Sequence, residues 1–230
     1  MRKLSKRQKD NSLKVTKKLY SNIQESISLL QKISSKNFNE TFELHINLNI
    51  DPKYADQQLR TTVTLPNGIG KQVKIAVLTN EENFTESNSA GADIVGNDEL
   101  IAEINQGNLN FDLLIATPNM MPKLAKLGRI LGPKGLMPSP KSGTVSSDLK
   151  STLTEFKKGK FEYKADKTGV VHINFGKSDF TNIQLVENLQ ALFKSIEQNR
   201  PSGVKGKYFK SLFICTTMGS SIKLDLEMFD

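Results

Sequence analysis

His45, His172 and Cys215 are the side chains of this chain best suited to ligate a metal or to act as a nucleophile, and by type they are few. A closed Cys/His zinc site takes four ligands, so two histidines and one cysteine leave too few for one. A single cysteine also excludes an intramolecular disulfide. His45 and His172 each fall within a strand pattern, where a structural or hydrogen-bonding role is expected. Cys215 alternates as a core-facing strand residue and is expected to be a small buried hydrophobe. Enzyme signatures are missing as well. The spacing G-x-x-x-x-G-K-[ST] fails everywhere; Gly176-Lys177-Ser178 comes closest, but the earlier glycine would have to stand at Val171. No H-E-x-x-H and no G-x-S-x-G occurs. The sequence therefore assigns no catalytic residue, no metal site and no cofactor. The alternative of a nucleotide-using enzyme rests only on an α/β middle that could hold a small-molecule site.

The chemistry that the sequence does offer is anion binding. Its 230 residues carry 32 Lys and Arg against 24 Asp and Glu, a formal charge of +8. That excess points to nucleic acid first and to a membrane surface second. Residues 1–18 hold eight cations and only Asp10. Two further stretches lack acids altogether. Lys123, Lys126, Arg129, Lys134 and Lys141 lie between Asp112 and Asp148, and Arg200, Lys205, Lys207, Lys210 and Lys223 between Glu197 and Asp225. Cations spaced among Gly, Pro and Ser suit contacts along a phosphate backbone, and are too sparse for a polybasic membrane anchor. In Lys126–Val145, three Pro and four Gly fix the backbone from which the cations project, as in a rigid electropositive loop. No run approaches the length of a membrane span, and Met1–Arg7 leads into no apolar core of a secretory signal.

Positioning elements follow from periodicity. Leu19, Ile23, Ile27, Leu30 and Ile33 predict one amphipathic helix from Ser12 to Ile33, capped by Asn11 or Ser12. Phe42, Leu44, Ile46, Leu48 and Ile50 alternate with Glu43, His45, Asn47 and Asn49, a half-buried strand with a polar row. Leu59, Thr61, Val63 and Leu65 predict a second strand. The texture then changes. Val73–Leu78 and Leu113–Ala116 read as strands covered on both faces, among helices near Glu81–Ser89, Asp98–Ile104, Met120–Leu127 and Leu149–Lys158. Beyond Gly159 it reverts, with strands at Phe161–Lys164, Val170–Phe175, Tyr208–Thr216 and Ile222–Leu226 and a helix capped by Thr181. The expected fold class is α/β and α+β in two domains. A discontinuous α+β domain, residues 1–67 and 160–230, is interrupted by an inserted Rossmann-like α/β domain, residues 68–159.

The segment Lys126-Leu-Gly-Arg-Ile-Leu-Gly-Pro-Lys-Gly-Leu-Met-Pro-Ser-Pro-Lys-Ser-Gly-Thr-Val145 closely resembles the large-subunit ribosomal proteins of the universal L-one family. The likeness extends over nearly the whole chain. It takes in Phe38-Asn-Glu-Thr-Phe-Glu43, Ile50-Asp-Pro, Asp56-Gln-Gln, Thr62-Val-Thr-Leu-Pro-Asn-Gly-Ile-Gly-Lys71, Ala90-Gly-Ala-Asp, Ile115-Ala-Thr-Pro, Lys167-Thr-Gly and Thr216-Thr-Met-Gly219. The resemblance implies a structural protein of the mobile stalk that binds large-subunit rRNA and assists release of deacylated exit-site tRNA. In bacteria it also implies repression of the protein's own mRNA, so a free translational repressor is the alternative. The implied RNA-binding residues are Lys36, Phe38, Thr41 and Glu43 in one segment and Ser211, Thr217, Met218 and Gly219 in another. Lys126, Arg129, Lys134 and Lys141 form a secondary basic loop. From periodicity alone Phe38 and Met218 would be core residues. Tyr54–Leu59 and Met120–Lys126 look like the cyanobacterial and algal-plastid branch. A plastid ribosome is therefore expected, with a bacterial cytoplasm as the alternative and no membrane partner.

Overall fold

The computed structural model of the chain describes residues 5–15, 19–35 and 37–228. In chain order the first elements are α1 (Lys6–Lys14), α2 (Ile23–Ile33), β1 (Thr41–Leu48) and β2 (Arg60–Thr64). Then come β3 (Ile75–Leu78), α3 (Phe84–Ser89), β4 (Ile94–Gly96), α4 (Asp98–Asn105) and β5 (Leu113–Ala116). Short α5 (Met121–Ala125) and α6 (Gly128–Leu131) precede α7 (Leu149–Lys157). The chain ends with β6 (Lys160–Lys164), β7 (Val170–Lys177), α8 (Asn182–Gln198), β8 (Phe209–Thr216) and β9 (Ile222–Leu224). Backbone contacts divide it into two compact units, Met1–Gly70 with Glu162–Asp230, and Lys71–Phe161.

The first unit is built on a four-stranded sheet of order β7-β1-β8-β9 with antiparallel neighbours. One face of the sheet is apolar. Phe42, Leu44, Ile46 and Leu48 of β1 are wholly buried, as are Val171 and Phe175 of β7 and Leu212 and Ile214 of β8. This face is covered by α2 and α8, which touch each other and the strands β9 and β7. Ile27, Leu30, Leu185, Leu189, Leu192 and Ile196 are their core residues. Each such side chain contributes roughly 1.5–3 kcal/mol by leaving water. Thr181 caps α8 in a full capping box with Gln184, as its sequence position predicts. Buried Asn188 breaks the apolar stripe of α8. It donates to the carbonyls of Gly68 and Phe175 and accepts the Asn67 N–H, which pins the Pro66–Gly70 turn to the helix.

One helix expectation needs correction. The helix predicted from Ser12 to Ile33 is two helices. Asn22, extended at φ −130 and ψ 115, accepts from the N–H groups of Gln24 and Glu25 and starts α2 anew. Leu19, expected on the buried stripe, is 58% exposed. The second predicted strand, β2, forms a two-stranded sheet with β6, separate from the main sheet. Arg60 and Glu162 are ion-paired across it.

The second unit holds a three-stranded parallel sheet of order β4-β3-β5. Both faces are covered. Ala76, Leu78 and Leu114 pack with Leu100, Ile104, Leu124 and Leu131, while Ile75, Val77 and Ile115 pack with Leu149, Leu153 and Phe156. That explains why its strands read as unbroken apolar runs.

Candidate nucleic-acid interface

The antiparallel pairing of β1 with β8 sets Phe42 opposite Thr216, so the start of one strand and the end of the other share one end of the sheet. Thr217 continues the ladder beyond β8. Its N–H donates to the Thr41 carbonyl at 3.1 Å, and its hydroxyl accepts the Thr41 N–H at 3.0 Å. The Thr217 hydroxyl also lies 3.3 Å from the Thr41 carbonyl, to which it can donate. It is thus held by the backbone of β1 and acts as the clasp between the two segments. The Gly219 N–H donates to the Thr216 carbonyl at 2.9 Å and closes the turn. A side chain on Gly219 has no room, since a Cβ there would fall 2.1 Å from Thr216 Oγ1.

Phe38 and Met218 stand out from this clasp, 48% and 58% exposed. The core placement that periodicity favours for them does not hold: both lie outside the regular strands, in the segments flanking Thr41 and Thr217, where no alternation fixes a face. Between Phe38 and Thr41 in the chain, Glu40 is fully buried. It is ion-paired with Arg7 at 2.6 Å and accepts the Ser35 N–H at 2.7 Å. Burial opposes its ionisation, but the Thr216 hydroxyl beside it, Arg7 and the Ser35 N–H prevail and hold its carboxyl below the usual value. The Ser178 N–H donates to the Glu40 carbonyl, and Asn39 bridges Ser178 to Asp179, so the loop is tied on both sides.

Along the opposite face of the sheet from the core runs a polar row. Thr41, Glu43, His45 and Asn47 of β1 alternate with its buried residues. Ser211, Phe213 and Cys215 do the same on β8. Glu43 is therefore solvent-accessible two residues from the clasp. Ser211 lies opposite Asn47, roughly 20 Å along β8 from Thr217, so the structure puts it on the same face but not beside the other residues. Cys215 does not point into the core as expected. Leu212, Ile214 and Thr216 take the inward positions, and Cys215 is half-buried in the polar row opposite Glu43. Burial, with Glu43 adding to it, pushes its thiol up to about 11. His45 sits next to it, with Nδ1 2.8 Å from His172 Nδ1. Burial and then His172 lower its pKa against the opposing pull of Glu43.

Lys36 lies outside the described residues. Lys126, Arg129, Lys134 and Lys141 belong to the second unit, and all four are exposed. The segment that carries them is not all loop: α6 occupies Gly128–Leu131, while Gly135 and Gly143 adopt φ of 71 and 65. Those left-handed turns are where the sequence uses glycine for its freedom. The Arg7–Glu40 anchor and the meeting of Glu43, His45 and Cys215 have no local sequence signal; strand register alone creates the latter.

A family model described as "Ribosomal protein L1p/L10e family" matches residues 30–220. The chain is 76% identical over 229 residues to a protein of Phaeodactylum tricornutum named large ribosomal subunit protein uL1c, covering all of both chains. It is 74% identical over the same span to the protein of that name from Trieres chinensis, again in full. To the large ribosomal subunit protein uL1 of Prochlorococcus marinus strain CCMP1986 it is 54% identical, over 99% of this chain and 96% of that one.

Proposed function

The chain belongs to the ribosomal protein L1p/L10e family, and from that premise we propose that it is a non-catalytic constituent of the large ribosomal subunit that binds large-subunit rRNA directly at the mobile stalk. The observation that carries this reading is the Thr41–Thr217 clasp, which joins two segments distant in sequence into one surface with Phe38 and Met218 exposed on it. A-form RNA offers 2′-hydroxyls and base edges in a shallow minor groove. A surface of hydroxyl, backbone and thioether groups, with a glycine for close approach, suits that groove better than a field of cations does. Glu43 accepts from a guanine edge or a 2′-hydroxyl. The first unit is the RNA-binding domain, and the second is the Rossmann-like insert. As part of the stalk the protein assists release of deacylated tRNA from the exit site.

The ribosome proposed is that of a plastid. The two uL1c proteins come from diatoms and share 76% and 74% identity with this chain, against 54% for the bacterial uL1. The test is a salt titration of binding to a stalk rRNA fragment beside an unrelated hairpin of equal length, with wild type, Thr217→Val and Met218→Ala. Tight binding to the stalk alone, weakened by both substitutions with little change in salt slope, is the expected result. Equal binding to both RNAs, indifferent to either substitution, overturns the reading.

A further inference from the structure

On the polar face of the four-stranded sheet, register brings three different metal-ligating side chains to one point. Glu43 of β1 is the direct cross-strand partner of Cys215 of β8, and His45 stands two residues further along β1 on the same face. His45 Nε2 lies 3.3 Å from Cys215 Sγ and 3.6 Å from Glu43 Oε2. One donor atom from each of the three falls within 4.8 Å of the others. Tetrahedral zinc, with bonds of about 2.0 Å to nitrogen or oxygen and about 2.3 Å to sulfur, sets neighbouring donors about 3.3–3.5 Å apart. Two edges of such a tetrahedron are therefore already present.

The other side of His45 supports the same assignment. His45 Nδ1 and His172 Nδ1 are 2.8 Å apart, so one ring can donate to the other. His172 is the direct partner of His45 across the β1–β7 pair, and its Nε2 faces Asp166 Oδ2 at 3.8 Å. The tautomer with the His172 N–H at Nε2, on the side of Asp166, makes His172 Nδ1 the acceptor and His45 Nδ1 the donor. His45 Nε2 then carries its lone pair towards Cys215 and Glu43. Metal-bound imidazoles are oriented in just this manner, by donating the other ring N–H to a neighbouring acceptor.

We propose that Glu43, His45 and Cys215 form a binding site for a thiophilic divalent cation, Zn²⁺, with its fourth position open to solvent. The side chains of His45 and Glu43 are 29% and 31% exposed, which leaves an entry path and room for a water ligand. A set of one sulfur, one nitrogen and one oxygen selects against Mg²⁺ and Ca²⁺, which take oxygen ligands. Counting only Cys and His leaves such a site out of reach; a carboxylate placed by strand register supplies the third ligand. On binding, the thiol proton passes to solvent and the sulfur binds as thiolate, one proton released per ion.

The test uses the full-length reduced protein, titrated with Co²⁺ as a spectroscopic probe and then with Zn²⁺. A thiolate-to-cobalt charge-transfer band saturating at one Co²⁺ per chain and bleached by Zn²⁺ is expected. Cys215→Ser abolishes the band, and Glu43→Gln and His45→Ala each weaken binding at least ~10-fold. His172→Ala retains the band but weakens binding by ~10–100-fold, the effect of losing an outer-shell partner. The circular dichroism of each variant shows that its fold is kept, and the conservative Glu43→Gln serves if His45→Ala unfolds. No band in the wild type overturns the proposal. So does saturation at half an equivalent, which marks two thiols from two chains, or a band indifferent to both His45→Ala and Glu43→Gln. No RNA enters the experiment, so its failure leaves the rRNA reading untouched.

Discussion

Gly219→Ala is the most informative single change at the clasp, because its cost can be traced to one atom. Gly219 has no positive φ, so alanine there meets no left-handed strain. The cost is contact alone: the new Cβ would fall 2.1 Å from Thr216 Oγ1, where side-chain Cβ atoms keep at least 3.0 Å from other heavy atoms. Thr216 is 1% exposed and β-branched, so its hydroxyl cannot swing freely. Either it adopts a poorer rotamer beside buried Glu40, or the turn retreats by about 1 Å and loses the Gly219 N–H bond to the Thr216 carbonyl. Overpacking of this kind costs about 1–3 kcal/mol, and the lost hydrogen bond about 1 kcal/mol. Thr216→Ala removes the offending oxygen. The double variant should therefore recover most of the loss, with a coupling energy of about 1–2 kcal/mol against the ~0.3–0.5 kcal/mol scatter of independent sites. Hydrogen exchange at the Thr217 and Gly219 amides reads the first unit directly, and affinity for the stalk RNA fragment reads the loop's shape. Additive effects of the two single substitutions would refute the close approach as the origin of the cost.

Phe38→Ala should cost only about 1 kcal/mol of stability, because half of the ring is already exposed. Its RNA affinity should fall by about 1–3 kcal/mol if the ring stacks on a base or sugar, which paired urea and binding titrations separate. Glu40 contributes stability that is present above its ordinary value of 4.5 and is lost as pH falls through its lowered folded-state value. Acid unfolding of Glu40→Gln should accordingly begin from lower stability at neutral pH and show a shallower pH dependence below about 4.5; parallel curves would remove Glu40 from the account. Asn188→Leu leaves the Gly68 and Phe175 carbonyls and the Asn67 N–H without their partner, and should cost about 2–4 kcal/mol in urea unfolding.

Where one signal dominates, the sequence is a sufficient guide. The alternation of β1 has no competitor, and the capping box at Thr181 marks the start of α8 to the residue. The buried runs that become β3 and β5 follow from helices on both faces of the parallel sheet. Cys215 shows where such guidance ends. On β8 both alternating rows mix apolar and polar residues, Leu212, Ile214 and Thr216 against Ser211, Phe213 and Cys215. Period two then fixes the alternation but not which row faces the core. Tertiary pairing decides it, because β1 lies between β7 and β8, each more than 100 residues away in the chain. The break between α1 and α2 is hidden for a different reason: apolar spacing continues through it, while Tyr20 pairs with Leu224, far away in the chain, and Asn22 caps α2 afresh. Asn188 sits on an otherwise apolar stripe, and only the position of the Pro66–Gly70 turn gives its amide a purpose.

The charge distribution bears on how affinity and discrimination divide. Among Lys36, Phe38, Thr41, Glu43, Ser211, Thr217, Met218 and Gly219 there is one cation and one anion, so the surface proposed to discriminate RNA shape is close to neutral. The +8 of the chain resides elsewhere, in the first eighteen residues and in the acid-free segments that contain Lys126–Lys141 and Arg200–Lys223. Counterion release scales with phosphates neutralised, and hydroxyl and thioether contacts release none. Substitutions at the clasp should consequently alter the ratio of stalk to non-stalk binding while the salt slope stays with the distant cations. Glu40 is ion-paired with Arg7, so the pair adds little net charge at the clasp. Glu43 is solvent-accessible, and a patch that relied on phosphate attraction would be weakened by its charge. The placement of Glu43 beside the clasp is thus itself an argument that recognition there works by shape and hydrogen bonding, with electrostatic affinity supplied from other parts of the chain.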